Sequence, residues 1–197
     1  MIGVTILGSN SAVPAHSRHP TSQVVQIDDY QFLMDCGEGT QMQMNRYKIK
    51  KNKINHIFIS HLHGDHYFGL IGLITSYALN NRTQDLHIYS PFGLQQIIHL
   101  QLNTVDAKLP FQCIFHELNE EGIILEEKTT TVECFKVNHR IACFGFIFRE
   151  KKNPRRINIE QVNQFLIPYE FYDHLHKGED YTTPNHEVIK NEILTTA

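Results

Sequence analysis

The chain reads as a layered α/β domain, on three observations. It has 197 residues with 41% hydrophobic and 20% charged, one domain's worth of core-forming material. Short runs of β-branched and aromatic residues recur along the first ~150 positions, and two or three segments of helical period fall between them. Gly3–Gly8 is the first strand, built on Val4, Ile6 and Leu7. Val24–Ile27 and Gln31–Met34 flank the polar pair Asp28-Asp29, the signature of a hairpin. Gly39–Lys48 suits a helix, and Ile54–Ser60, centred on Ile57, Phe58 and Ile59, a further strand. In Pro91–Asn103 the proline suits a helix start, and Leu94, Ile97 and Ile98 lie at i, i+3 and i+4. Thr129–Val137 and Ala142–Phe148 are rich in Val, Thr, Phe and Ile and read as consecutive strands joined at Asn138–Ile141.

Composition excludes several classes. The longest mostly apolar stretch, Phe68–Leu79, falls short of the ~20 residues that span a bilayer, so no membrane is expected. Met1–Gly8 lacks a basic n-region and reads as a strand rather than a signal peptide. Eighteen Lys+Arg against 21 Asp+Glu give a net charge of -3, so an RNA partner must be held by local patches. Four cysteines (Cys36, Cys113, Cys134, Cys143) form no CxxC pair, which favours a reducing, cytoplasmic setting. Thirteen histidines are the unusual count, and only their spacing decides whether they carry metal or acid-base chemistry.

Past Arg149 the composition shifts. Arg149–Arg156 is basic and contains Pro154, behaving as a boundary or an excursion. Ile159–Leu166 and Pro168–Lys177 suit two short helices, the second ended by Gly178, and Tyr181–Ala197 has no strong pattern. A basic cluster by itself is most often a solvated face.

The chemistry concentrates in His61-Leu62-His63-Gly64-Asp65-His66, directly after the strand ending at Ser60. In an extended segment side chains at i and i+2 point the same way, so His61 and His63 can converge on one cation. Gly64 permits a sharp turn, after which Asp65 and His66 can address a second cation. Imidazole nitrogen with carboxylate oxygen suits zinc or a neighbouring first-row ion. Two such ions ~3.5–4 Å apart clamp both oxygens of a hydrolytic displacement. A lone histidine would be read as structural, and His87, His99 and His116 are read so; His16 and His19 are read as exposed, although with Arg18 and Thr21 they could line an RNA-facing loop. Asp35, at a strand end, could orient a ligand histidine or cap the following helix. Gly37 and Gly39 are read as turn residues.

The segment His61–His66 resembles the signature of the metallo-β-lactamase superfamily, whose fold is a four-layer αβ/βα sandwich. Three further stretches are similar to the ribonuclease Z family of tRNA 3′-processing endonucleases. These are Leu7–Pro14 continued by Ser17–Ser22, Leu33-Met-Asp-Cys-Gly-Glu-Gly-Thr-Gln41, and Phe135–Phe146. The resemblance implies that His61, His63 and His139 hold one zinc and that Asp65 and His66 hold the other. Asp65 is also the implied proton acceptor, so the implied cofactor is two Zn2+ per complete site. The resemblance further implies a precursor tRNA substrate, and a homodimer in which one subunit's arm serves the other's site. Residues 149–181 resemble the tRNA-gripping arm more weakly, with Lys151, Lys152, Arg155, Arg156 and Lys177 as phosphate contacts. The Gly-Pro-rich stretch common in such arms is replaced by Ile167–Tyr172.

The family carries, after the arm, a metal-bridging aspartate, a histidine acid and a last histidine ligand, and nothing from Tyr181 to Ala197 resembles them. The chain is therefore read as a first half at 1–148, an arm at 149–181 and the start of a second half at 182–197. The sandwich is expected to be incomplete and the isolated chain inactive or nearly so, paired with other copies or with a missing segment. The leading expectation is a zinc-dependent endoribonuclease that removes 3′ trailers from precursor tRNA. A hydrolase of small phosphodiesters or sulfate esters is the second reading, and a non-catalytic RNA- or partner-binding remnant the third.

Overall fold

The computed structural model describes residues 1–13, 15–151 and 154–196, and the chain falls into two compact units, Met1–Glu150 and Lys151–Ala197. In the first unit β1 (Ile2–Gly8), β2 (Ser22–Ile27) and β3 (Tyr30–Cys36) run antiparallel. The β2–β3 turn falls on Asp28 and Asp29, with Asp28 in the left-handed region at φ 51°, a conformation that Asp tolerates. Helix α1 (Thr40–Arg46) leads to β4 (Ile54–Phe58), followed by α2 (Gly64–Tyr67), α3 (Leu70–Leu79) and β5 (Leu86–Ser90). Helix α4 (Leu94–Thr104) precedes β6 (Cys113–Glu117). The six strands form one sheet in the order β1-β2-β3-β4-β5-β6, parallel from β3 onward. A separate antiparallel sheet comprises β7 (Gly122–Glu126), β8 (Thr130–Lys136) and β9 (Phe144–Glu150).

Adjacent residues of the large sheet enter opposite cores. Val24, Leu33, Ile57 and Ile88 pack against Met44 of α1, Leu70, Leu73, Ile74 and Tyr77 of α3, and Leu94 and Ile98 of α4. Their neighbours Val25, Phe32, Phe58 and Tyr89 pack against Val132, Cys134 and Phe144 of the three-stranded sheet. Both faces are covered, so the central strands read as continuous apolar runs rather than alternating ones. Helices, large sheet and small sheet are three layers of the expected four, among the described residues. The apolar stretch Phe68–Leu79, whose sequence shows no clear period, contains α3 (Leu70–Leu79); the buried positions of that helix follow i, i+3, i+4, i+7, masked by apolar residues on the other side. Helix α4 begins at Leu94 rather than Pro91 because Gly93, at φ 108°, turns the chain just before it. Strands β5, β6 and β7 carry no strand signal in the sequence reading.

In the second unit β10 (Arg156–Ile157) is followed by α5 (Ile159–Gln164), whose first turn donates the Glu160 and Gln161 amides to the Asn158 side chain. A 3₁₀ turn at Tyr169–Phe171 opens into α6 (Tyr172–Lys177), ended by Gly178 at φ 91°. Then come β11 (Tyr181–Thr182), β12 (Val188–Ile189), α7 (Asn191–Leu194) and β13 (Thr195–Thr196). Strand β10 pairs with β13, and Val162, Ile167, Leu175, Ile189 and Leu194 form one core. The expected division at 181/182 falls inside this unit, and the first unit extends to Glu150 because β9 continues two residues past Phe148. No helix of the described residues is long and apolar enough to cross a membrane.

Candidate metal centre

The hook His61–His66 leaves the C-terminal end of β4 and turns into α2. Two glycines let it lie against the end of β3. A Cβ on Gly37 would stand 2.4 Å from the Asp65 carbonyl oxygen, and one on Gly69 2.2 Å from that of Gly37. Both positions admit only glycine without backbone movement. Gly37 thus serves close approach to the hook, whereas Gly39, at φ 80°, serves the turn into α1.

His61, His63 and His139 each present a ring nitrogen, and the three atoms lie within 4.8 Å of one another. His139 arrives from the β8–β9 connection, which is fixed by the Val137 amide on the Cys143 carbonyl (2.9 Å) and the Phe144 amide on the Ser60 carbonyl (2.9 Å). Nε2 of His139 is 3.3 Å from Nδ1 of His63. Two tetrahedral ligands at 2.0–2.1 Å from zinc stand about 3.3–3.4 Å apart, so the His63–His139 pair has the spacing of a zinc-sized ion, with His61 beside it. Asp65 and His66 lie beside it: the His61 and His66 ring centroids are 3.9 Å apart, and Asp65 Oδ2 is 3.5 Å from His66 Nε2. These two could hold a second ion.

Asp35, 1% exposed, organises the back of the centre. Its Oδ1 accepts the Ser60 amide at 2.8 Å, Ser60 Oγ lies 3.0 Å from both carboxylate oxygens, and His66 Nδ1–H donates to Oδ2 at 2.8 Å. The proton count then orders the neighbours. The single Ser60 hydroxyl proton goes to the carboxylate, so His61 Nδ1–H donates to Ser60 Oγ at 3.0 Å and leaves its Nε2 lone pair for a cation. Of the two roles open to Asp35 from sequence, the hydrogen bonds show the orienting one. The following helix takes no side-chain cap, and Asp35 sits at φ 55°, a left-handed backbone whose cost, about 1–3 kcal/mol, the surrounding hydrogen bonds offset.

Burial, then the neighbouring His66, pushes the His61 imidazole down to about 4, keeping it neutral at ordinary pH. At His66 burial also pulls downward, but the Asp35 hydrogen bond and the charges of Asp35 and Asp65 outweigh it and hold the imidazole above its usual value. Sequence reasoning did not single out Ser60 or Arg140. Arg140 Nη2 and Nε stand 3.1 and 3.3 Å from His63 Nε2. Each is the immediate neighbour of a candidate ligand, the one signal that could have found it.

The described basic residues from Lys151 to Lys177 lie away from this chemistry in sequence and belong to the second unit, whereas Arg149 is on β9 of the first. Arg156 and Lys177 are exposed; Arg155 is half-buried and gives its Nε to Thr195 Oγ1 at 2.6 Å. Lys151 is half-buried, and Lys152 lies outside the described residues. His87 and His116 are sheet residues whose rings meet at 3.0 Å (Nδ1 to Nε2), and His99 is on α4. His16 is exposed and His19 half-buried.

Known proteins resemble this chain over most of its length. Ribonuclease Z of Bacteroides fragilis is 44% identical over 192 residues, 96% of this chain and 63% of that protein. Ribonuclease Z of Porphyromonas gingivalis is 38% identical over 195 residues. The chain thus spans less than two thirds of the length of these relatives. The short form of human tRNase Z superposes with a TM-score of 0.71 at 33% identity, covering 78% of this chain and 66% of that one. The metallo-β-lactamase fold protein YhfI of Bacillus subtilis superposes at 0.59 with 19% identity, over 83% of this chain and 66% of its own, a likeness of fold alone. The family model described as anti-Pycsar protein Apyc1 matches residues 2–153. With its metallo-β-lactamase fold and its relatives named ribonuclease Z, the chain belongs to the family that this model describes.

Proposed function

We propose that this chain carries the metal site and proton-handling carboxylate of a zinc-dependent endoribonuclease that removes 3′ trailers from precursor tRNA. The observation that carries the reading is the convergence of His61, His63 and His139 within 4.8 Å in a chain 44% identical to a ribonuclease Z. Zinc, when bound, supplies charge neutralisation at the phosphate and acidifies the attacking water. Asp65, its Oδ2 beside His66, accepts the proton of that water as it attacks the phosphorus in line. Asp35 holds His66 by its Nδ1–H, keeping Nε2 forward. Asp65 and His66 would supply two ligands, one short of the usual three plus water, so firm zinc binding is expected at the three-histidine set and little or no turnover from this chain alone.

Residues 149–181 are proposed to grip the tRNA body, with Lys151, Lys152, Arg155, Arg156 and Lys177 as phosphate contacts. This local basic set is how a chain of net charge -3 would hold RNA. A homodimer working in the cytoplasm is part of the same reading. The test is binding and cleavage of a precursor tRNA by the 197-residue chain, alongside hydrolysis of bis(p-nitrophenyl) phosphate. Arg156→Glu with Lys177→Glu should weaken tRNA binding and flatten its salt dependence while leaving diester hydrolysis unchanged. Diester hydrolysis without tRNA binding would establish the small-substrate reading instead, and RNA binding without zinc or turnover the non-catalytic one. Trailer removal by this chain at the rate of a longer relative would refute the expectation that it is inactive or nearly so.

A further inference from the structure

We propose that Arg140 is a two-position residue: it holds His63 in one tautomer, and metal binding releases its guanidinium onto a phosphodiester. The phosphodiester half rests on the reading above; the release half does not. Guanidinium donates only and keeps its protons. With Nη2 and Nε at 3.1 and 3.3 Å, His63 Nε2 must accept. A neutral imidazole has one N–H, so the proton sits on Nδ1. That is the nitrogen facing His139 Nε2 at 3.3 Å, and Nδ1–H donating to Nε2 satisfies both rings.

A cation taking the His63 Nδ1 lone pair therefore needs the other tautomer. The ring proton moves to Nε2, where it meets the two guanidinium donors. Donor against donor leaves no bond, so Arg140 must turn away. Being exposed, it can turn without disturbing the core. It borders a cleft lined by Ser11, Glu38, Gly64, Asp65 and Phe68, with His63 on the same wall, so a phosphate held beside the metal centre comes within its reach. A planar fork of donors suits a phosphate bidentately. The positioning residue is thus made available only once the centre is loaded.

Three readouts on the 197-residue chain test this. Long-range 15N imidazole spectra should show His63 protonated at Nδ1 in the protein as purified free of zinc and at Nε2 after zinc is added. A starting Nε2–H form would overturn the proposal. In competition with a chromophoric chelator, Arg140→Ala should bind zinc about tenfold more tightly, the equivalent of about 1.4 kcal/mol. That gain should persist at about 50 and about 500 mM salt; a gain that vanishes at high salt is plain charge repulsion and overturns the latch. Dimethyl phosphate should bind the zinc-loaded wild type about tenfold better than Arg140→Ala, with Arg140→Lys in between and no difference without zinc. Equal binding would mean that the freed guanidinium turns to Glu38 or Asp65, and the phosphate half would fall. If all three hold but precursor tRNA is not cut, Arg140 stands and the substrate reading alone fails.

Discussion

Replacing Asp35 by Asn keeps the shape of the side chain and removes its charge. Asn tolerates the left-handed backbone at φ 55°, so the local fold should survive. The amide Oδ1 still accepts the Ser60 amide, but an NH2 group now faces His66 Nδ1; the charge-assisted 2.8 Å bond is lost, and only a neutral ring protonated at Nε2 can accept in its place. One charge-assisted hydrogen bond in a site 1% exposed is worth about 1.5–3 kcal/mol. Asp35→Ala removes the same bond, orphans the buried Ser60 amide (about 1–3 kcal/mol) and leaves alanine in the left-handed region (about 1–2 kcal/mol). It should cost about 4 kcal/mol or more. The Asn cost also depends on pH. The folded value for His66 is raised above 6.5, so the ion pair stabilises fully below 6.5 and its contribution is lost as pH rises through the folded value. Urea denaturation at about pH 5.5 should therefore show a larger Asn penalty than at about pH 8.5. An Asn variant as damaged as the Ala variant, or a penalty that grows with pH, would refute the reasoning.

The remaining expectations are shorter. Burial, with His87 and His116 beside it, pushes His56 down to about 4, so the unfolded chain takes a proton first; stability should fall by about 3 kcal/mol as pH drops from 6.5 to about 4. A His56→Phe variant, packed against the Phe32 and His87 rings, should flatten that part of the urea-midpoint profile. Gly37→Ala drives a Cβ into the Asp65 carbonyl at 2.4 Å and should cost about 1–3 kcal/mol, read as a Tm drop of about 2–4 °C per kcal/mol. His139→Ala leaves two of three ligands and should weaken zinc binding in a chelator competition by more than the 10–100-fold that losing a supporting residue costs.

The hook was legible because its geometry is local. Positions i and i+2 at a strand end share a face, and a glycine turn brings the next two side chains alongside, whatever the rest of the chain does. Strands β2–β3 and helix α1 were legible for the same reason, whereas α3 was hidden by apolar residues on every side. His139 is different: it stands 76 residues from His63, and tertiary contacts such as the docking of Phe144 on the Ser60 carbonyl bring its loop to the hook. Asp35 likewise reaches His66 because β3 lies parallel to β4, which fixes a carboxylate 31 residues away at 2.8 Å. By itself, then, the sequence determined which side chains can ligate a cation and which of them start on one face. Tertiary structure decided which distant residues complete the set, which nitrogen each imidazole presents, and that Arg140 meets His63. Strand pairing and hydrogen-bond partners are non-local, and spacing along the chain does not encode them.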